Sequence, residues 1–118
     1  MRALGELEAA VMAVLWHQGE PQRVREVVAA LAPGKPVAYT TAMTVLDNLH
    51  RKGWVLREKQ SRAYLYRPAW TREEATTRAV RALLEESEDP EAALLHFART
   101  ASQRESALLR EALDEPDH

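Results

Sequence analysis

The chain of 118 residues contains no cysteine, which excludes disulfides, thiolate catalysis and cysteine-bound metal. No apolar run approaches the ~20 residues that a bilayer-spanning helix needs. Glycine is scarce, with four residues in all, and none forms a phosphate-cradling loop. Aromatics are only 6%. Trp16, Trp54 and Trp70 are spaced for a core or a domain junction, since a single-strand platform needs several exposed rings in a basic groove. The histidines, His17, His50, His96 and His118, include no i, i+4 pair with a carboxylate, and no G-x-S-x-G is present. These gaps predict no enzyme, no metal site and no cofactor. The first residues, MRALGELEAAVMAVLWHQ, do not read as a signal peptide, because Glu6 and Glu8 interrupt any apolar segment. A cytoplasmic location is expected.

Charge is abundant but unevenly spread. The net charge is −2, yet residues 1–70 hold ten Lys/Arg against six Asp/Glu, a net +4. Residues 71–118 hold six Arg against twelve acids, a net −6. The split predicts a phosphate-facing front and an acidic rear with a different task.

Periodicity predicts a first helix over about Gly5–His17, with Leu4, Leu7, Val11, Val14 and Leu15 as its apolar stripe. A second helix runs over about Arg23–Leu31, burying Val24, Val27, Val28 and Leu31. A third, over about Thr40–Lys52, buries Ala42, Val45, Leu46 and Leu49 and ends at Gly53, placed for a left-handed cap. Strands follow over about Trp54–Glu58 and Ala63–Arg67, around a charged turn. Beyond Pro68 the pattern is wholly helical. Thr71 with Glu74 and Ser102 with Glu105 read as capping boxes, and Asp89-Pro90 as an N-cap with proline at N1. Glu115–His118 are expected to fray. The fold class predicted is mostly α with a small β-hairpin wing: a winged helix-turn-helix followed by a C-terminal helical dimerisation region. Its domains are 1–70, a winged-helix DNA-binding domain, and 71–118, the helical dimerisation region.

The outward face of the third helix offers Thr40, Thr41, Met43, Thr44, Asp47, Asn48, Arg51 and Lys52. Hydroxyls and methyls of this kind suit base edges in a major groove. Asp47 opposes that reading, unless it accepts from cytosine or points away. The hairpin supplies Arg57, Lys59, Arg62 and Arg67 for phosphates, and a tyrosine hydroxyl, such as that of Tyr64, for another. The partner implied is double-stranded DNA. The rear half is too small to close a core alone, yet holds Val80, Leu83, Leu84, Leu94, Leu95, Phe97, Leu108, Leu109 and Leu113. A homodimer is expected to bury these, the alternative being a monomer whose rear helices fold back on the front. A winged helix serving as a protein-interaction module is the second functional reading.

Four blocks, GELEAAVMAVLW at Gly5–Trp16, VREVVAAL at Val24–Leu31, YTTAMTVLDNLHRKG at Tyr39–Gly53 and RAYLYRP at Arg62–Pro68, resemble the BlaI/MecI family of bacterial penicillinase repressors, most of all its actinobacterial members. The resemblance covers nearly the whole chain. It implies a homodimeric repressor of palindromic operators before β-lactamase or related genes. It implies release when a membrane sensor metalloprotease of the BlaR/MecR type cuts the dimerisation helix. The family's cut lies between Asn and Phe, and the matching pair here is His96-Phe97. Asn48 stands where the family usually has an Arg that holds the DNA backbone. A copper-sensing branch uses C-terminal cysteine pairs, which this chain lacks.

Overall fold

The computed structural model describes residues 4–115; of the segment expected to fray, 116–118 lie outside the described residues. The chain order is α1 (Glu6–Gln18), α2 (Val24–Leu31), α3 (Tyr39–Arg51), β1 (Val55–Gln60), β2 (Ala63–Pro68), α4 (Arg72–Glu86), α5 (Pro90–Thr100) and α6 (Gln103–Asp114). It is a winged helix-turn-helix followed by a helical region. The described residues fall into two compact units, 4–79 and 80–115, with the division inside α4.

In the first unit, α1, α2 and α3 enclose one core. Val11, Met12 and Leu15 from α1 meet Val24, Val27 and Leu31 from α2 and Ala42, Leu46 and Leu49 from α3. Trp54, Val55, Tyr66 and Ala75 complete it. The stripe read for α1 omits Met12, which is fully buried, while Leu7 and Val14 are only half-buried. The cause is that α1 touches α2, α3 and β2 on separate sides, so its buried surface is wider than one stripe.

The strands pair antiparallel, from Val55 opposite Pro68 to Gln60 opposite Ala63. The ladder therefore runs two residues beyond the Glu58 expected, and only Ser61 and Arg62 turn the chain. Ser61 makes so tight a turn possible by taking φ 58°, the left-handed conformation that two-residue hairpins require. With period two, Val55, Arg57, Lys59, Tyr64 and Tyr66 share one face of the hairpin. Val55 and Tyr66 are buried in the core, so this face turns to the helices. A further pairing sits outside the hairpin. Gln22 N–H donates to Tyr66 O and Tyr66 N–H donates to Gln22 O, both at 2.8 Å, a single antiparallel bridge that ties the α1–α2 loop to β2.

Local capping sets the helix ends. Thr71 N–H donates to Glu74 Oε1 at 2.8 Å and Glu74 N–H to Thr71 Oγ1 at 3.1 Å. Ser102 and Glu105 repeat this at 2.8 and 3.1 Å, and Asp89 Oδ1 accepts from Ala92 N–H at 3.1 Å. At the end of α3, Trp54 N–H reaches Leu49 O at 2.9 Å and Gly53 N–H reaches His50 O at 3.0 Å. This is a Schellman closure with Gly53 at φ 83°. It turns the chain straight from α3 into the hairpin.

A Cβ on Gly53 would meet nothing within 4 Å, so the cost of Gly53→Ala is conformational, about 1–2 kcal/mol. A lowered thermal midpoint with unchanged helix content is the expected outcome, measured by circular dichroism.

Candidate nucleic-acid interface

Helix α3 buries Ala42, Leu46 and Leu49, and the helical repeat therefore sends Thr40, Thr41, Thr44, Asp47, Asn48 and Arg51 to the opposite side. Thr40, Thr41, Met43, Thr44, Arg51 and Lys52 are exposed, and Asp47 and Asn48 half-buried. Thr44 Oγ1 donates back to Thr40 O at 3.0 Å, which fixes its hydroxyl and leaves the oxygen's acceptor side outward. Beside this face the hairpin forms a groove of about 350 Å³ lined by Met43, Thr44, Asp47, Arg57, Tyr64 and Tyr66.

Asp47 organises the groove. Its Oδ1 accepts from Arg57 Nη1 at 3.1 Å, and its Oδ2 lies 3.4 Å from Arg51 Nη2. The Arg57 guanidinium sits 4.2 Å from the centroid of the Tyr64 ring, a cation–π contact. Tyr66, against burial, and then Asp47 hold Arg57 above the ordinary arginine range. The carboxylate is thus an internal brace between α3 and the wing. Arg51 also donates to Asn48 Oδ1. Lys52 leaves the α3 face for α1, where its Nζ lies 2.7 Å from Glu8 Oε2.

Arg62 and Tyr64, expected on the hairpin, are both exposed there. The sequence pattern does not single out Arg23 and Arg25 for DNA. The Gln22–Tyr66 pairing sets the start of α2 against the hairpin, and Arg23 Nη2 donates to Gln60 Oε1 at 3.4 Å. The available signal was two arginines flanking a valine at a helix start, which is too common to point to a site.

In the second unit, neither α5 nor α6 has a buried side chain. Leu83, Leu94, Leu95, Phe97, Leu108, Leu109 and Leu113 are 43–69% exposed, and Leu84 is half-buried. His96 is exposed beside Phe97. Among the described residues no cluster suited to a metal ion occurs, and no helix is long and apolar enough to cross a membrane.

The model of a protein family described as penicillinase repressor matches residues 4–115. Transcriptional regulator BlaI of Mycobacterium tuberculosis, in strains CDC 1551 / Oshkosh and ATCC 25618 / H37Rv, is 43% identical over 115 residues, 95% of this chain and 83% of that protein. Among solved structures, RosR of H. salinarum aligns with a TM-score of 0.51 at 23% identity, covering 96% of this chain and 94% of its own. A complex of hsRosR with S4 aligns with the same TM-score at 24% identity, covering 96% and 90%. At these identities the RosR likeness speaks for the fold alone.

The Lys52–Glu8 pair makes a pH prediction. Burial pushes the Glu8 carboxyl up, but hydrogen bonds from Lys52 and the Gly5 N–H, with the Lys52 charge, hold it on balance below its ordinary 4.5. A depressed carboxylate contributes stability above about pH 4.5, which is lost as pH falls through the lower folded-state value. Glu8→Gln is therefore expected to lower the thermal midpoint at pH 7 and to flatten its decline between pH 5 and pH 3. Midpoints measured across that range check both.

Proposed function

The chain belongs to the penicillinase repressor family, a family of transcriptional regulators rather than enzymes, and on that premise we propose that it is a homodimeric repressor of palindromic operators. The observation that carries this is the exposed threonine-rich stripe of α3 beside an arginine-bearing hairpin. In such a head the helix enters the major groove and the wing follows the backbone. Thr40, Thr41, Met43 and Thr44, at the leading end of α3, reach base edges. Arg62 and Tyr64 meet phosphates. Domains of 1–70 for DNA and 71–118 for dimerisation divide the work.

The second half of the proposal concerns release. The apolar side chains of α4, α5 and α6 meet those of a second copy, and a membrane sensor protease of the BlaR/MecR type cuts at His96-Phe97. That cut removes Phe97, Leu108, Leu109 and Leu113 from each subunit. Each buried side chain of this size is worth about 1.5–3 kcal/mol, so several lost on both sides suffice to separate the dimer. β-Lactamase or related genes are the targets the family implies.

Duplex binding should weaken steeply with salt; flat binding would favour the protein-interaction module. Thr41→Ala is expected to lose about 1–3 kcal/mol of discrimination at one position of each half-site. Binding to a set of single-base operator variants measures it.

For the assembly, sedimentation of the full chain should give a dimer, and Phe97→Asp should shift it to monomer with the fold intact. Co-expression with the sensor protease and an inducing β-lactam should yield a 1–96 fragment by mass. An intact chain under derepressing conditions would remove the cleavage step.

A further inference from the structure

Two groups stand out among the basic residues of the head, apart from the exposed Lys59 and Arg67 of the hairpin. Around the end of α3 each is met by an acidic or amide partner: Arg51 by Asp47 and Asn48, Arg57 by Asp47, and Lys52 by Glu8. Lys35 is likewise paired with Glu6. Arg23, Arg25 and Arg62 differ. They line a concavity of about 430 Å³, with Tyr39, Met43 and Tyr64 among the other walls and no carboxylate in its lining. Arg25 and Arg62 make no ion pair among the described residues, and the Arg23 guanidinium donates to the neutral amide of Gln60. Glu26, the nearest acid in sequence, turns its carboxylate onto the Arg23 backbone N–H at 2.7 Å.

Three unneutralised guanidiniums in one hollow carry a strong positive potential that an anion would relieve. The shape says which anion. The hollow shares Met43, Tyr64 and Tyr66 with the groove beside α3, so the two lie side by side, and of the two only the groove bears a carboxylate, Asp47. Three guanidiniums spread along one hollow suit the successive charges of an extended polyanion, whereas a small ion would meet a single point of it. Tyr39 and Met43 are 52% and 44% exposed, leaving apolar surface for a sugar or a base beside the charged track.

We propose that the hollow between α2, α3 and the wing seats a short run of DNA backbone, its successive phosphates neutralised by Arg23, Arg25 and Arg62. The braced Arg51 and Lys52 contribute little to that neutralisation. Asp47 and Glu8 already offset these charges, and a phosphate would have to break an internal pair to gain them. The proposal rests on the duplex-binding role above and adds where the electrostatic share of affinity originates.

The test is a salt titration of duplex affinity by fluorescence anisotropy, using the full chain and a duplex of the operator it selects. Arg23→Ala, Arg25→Ala and Arg62→Ala should each flatten the slope of log K against log salt by about 1.8, the counterion release of one phosphate in each half-site. Arg51→Ala and Lys52→Ala should leave the slope unchanged, and Arg25→Lys should restore it. Circular dichroism of each variant confirms the fold. Neutral methylphosphonates placed symmetrically along the duplex should abolish the effect of Arg25→Ala at one position of each half-site only. A steep parental slope that Arg51→Ala or Lys52→Ala flattens, while the hollow's arginines do not, overturns this proposal and leaves the repressor role standing. A parental slope near zero overturns both.

Discussion

The arrangement of the head depends on two hydrogen bonds between Gln22 and Tyr66. Each joins the backbone of the α1–α2 loop to β2 at 2.8 Å. A two-stranded hairpin is marginal by itself, so its orientation must be imposed from outside. The loop pairs with one edge, and the buried ring of Tyr66 anchors the same residue in the core. Gln22 is the only buried polar residue described. Its amide Nε2 is satisfied by the carbonyls of Glu20 and Pro21 at 3.1 and 3.3 Å, so no donor is left unmet in that position. Because Arg23, the N-cap of α2, follows Gln22 directly, the same pairing fixes where Arg23 and Arg25 stand relative to the wing. One local contact thus sets the spacing of three elements.

Asp47 has the complementary part. A carboxylate on a helix proposed to meet DNA would ordinarily repel its target. Here it is turned to Arg57 and Arg51 and couples the helix to the wing. The energetic worth of such partly exposed pairs is small. Their value lies in geometry: Arg57 is held between a carboxylate and the Tyr64 ring, so the groove has fixed walls before any ligand arrives. Preorganisation of this kind lowers the ordering cost of binding.

What was legible in the sequence was local. Thr71 with Glu74, Ser102 with Glu105, Asp89 before Pro90, and Gly53 after α3 all act within a few residues, and residue type alone signals them. The three head helices and the hairpin were legible for the same reason, through periodicity. The contacts that define the candidate interface join distant residues. Arg57 meets Asp47 ten positions away, Arg23 meets Gln60 at 37 and Lys52 meets Glu8 at 44. Lys52 was therefore read as a cation facing DNA, because no pattern marks Glu8 as its partner. The end of β1 is not legible because charged residues resemble a loop, whereas the backbone conformation of Ser61 decides where the ladder stops.

The aromatic residues are sorted by place, and this has an optical consequence. Trp16 Nε1 donates to Trp70 O at 2.9 Å, and the Trp54 and Trp70 rings meet edge to face at 5.6 Å. All three indoles thus gather where the hairpin leaves for α4, with Arg72 over Trp16 and Arg78 over Trp70. The three tyrosines, Tyr39, Tyr64 and Tyr66, gather instead around the hollow beside α3. Indole emission therefore reports on the base of α4, and phenol absorbance on the head. The chain is furnished with two intrinsic chromophore sets, one for each region, without any label being added.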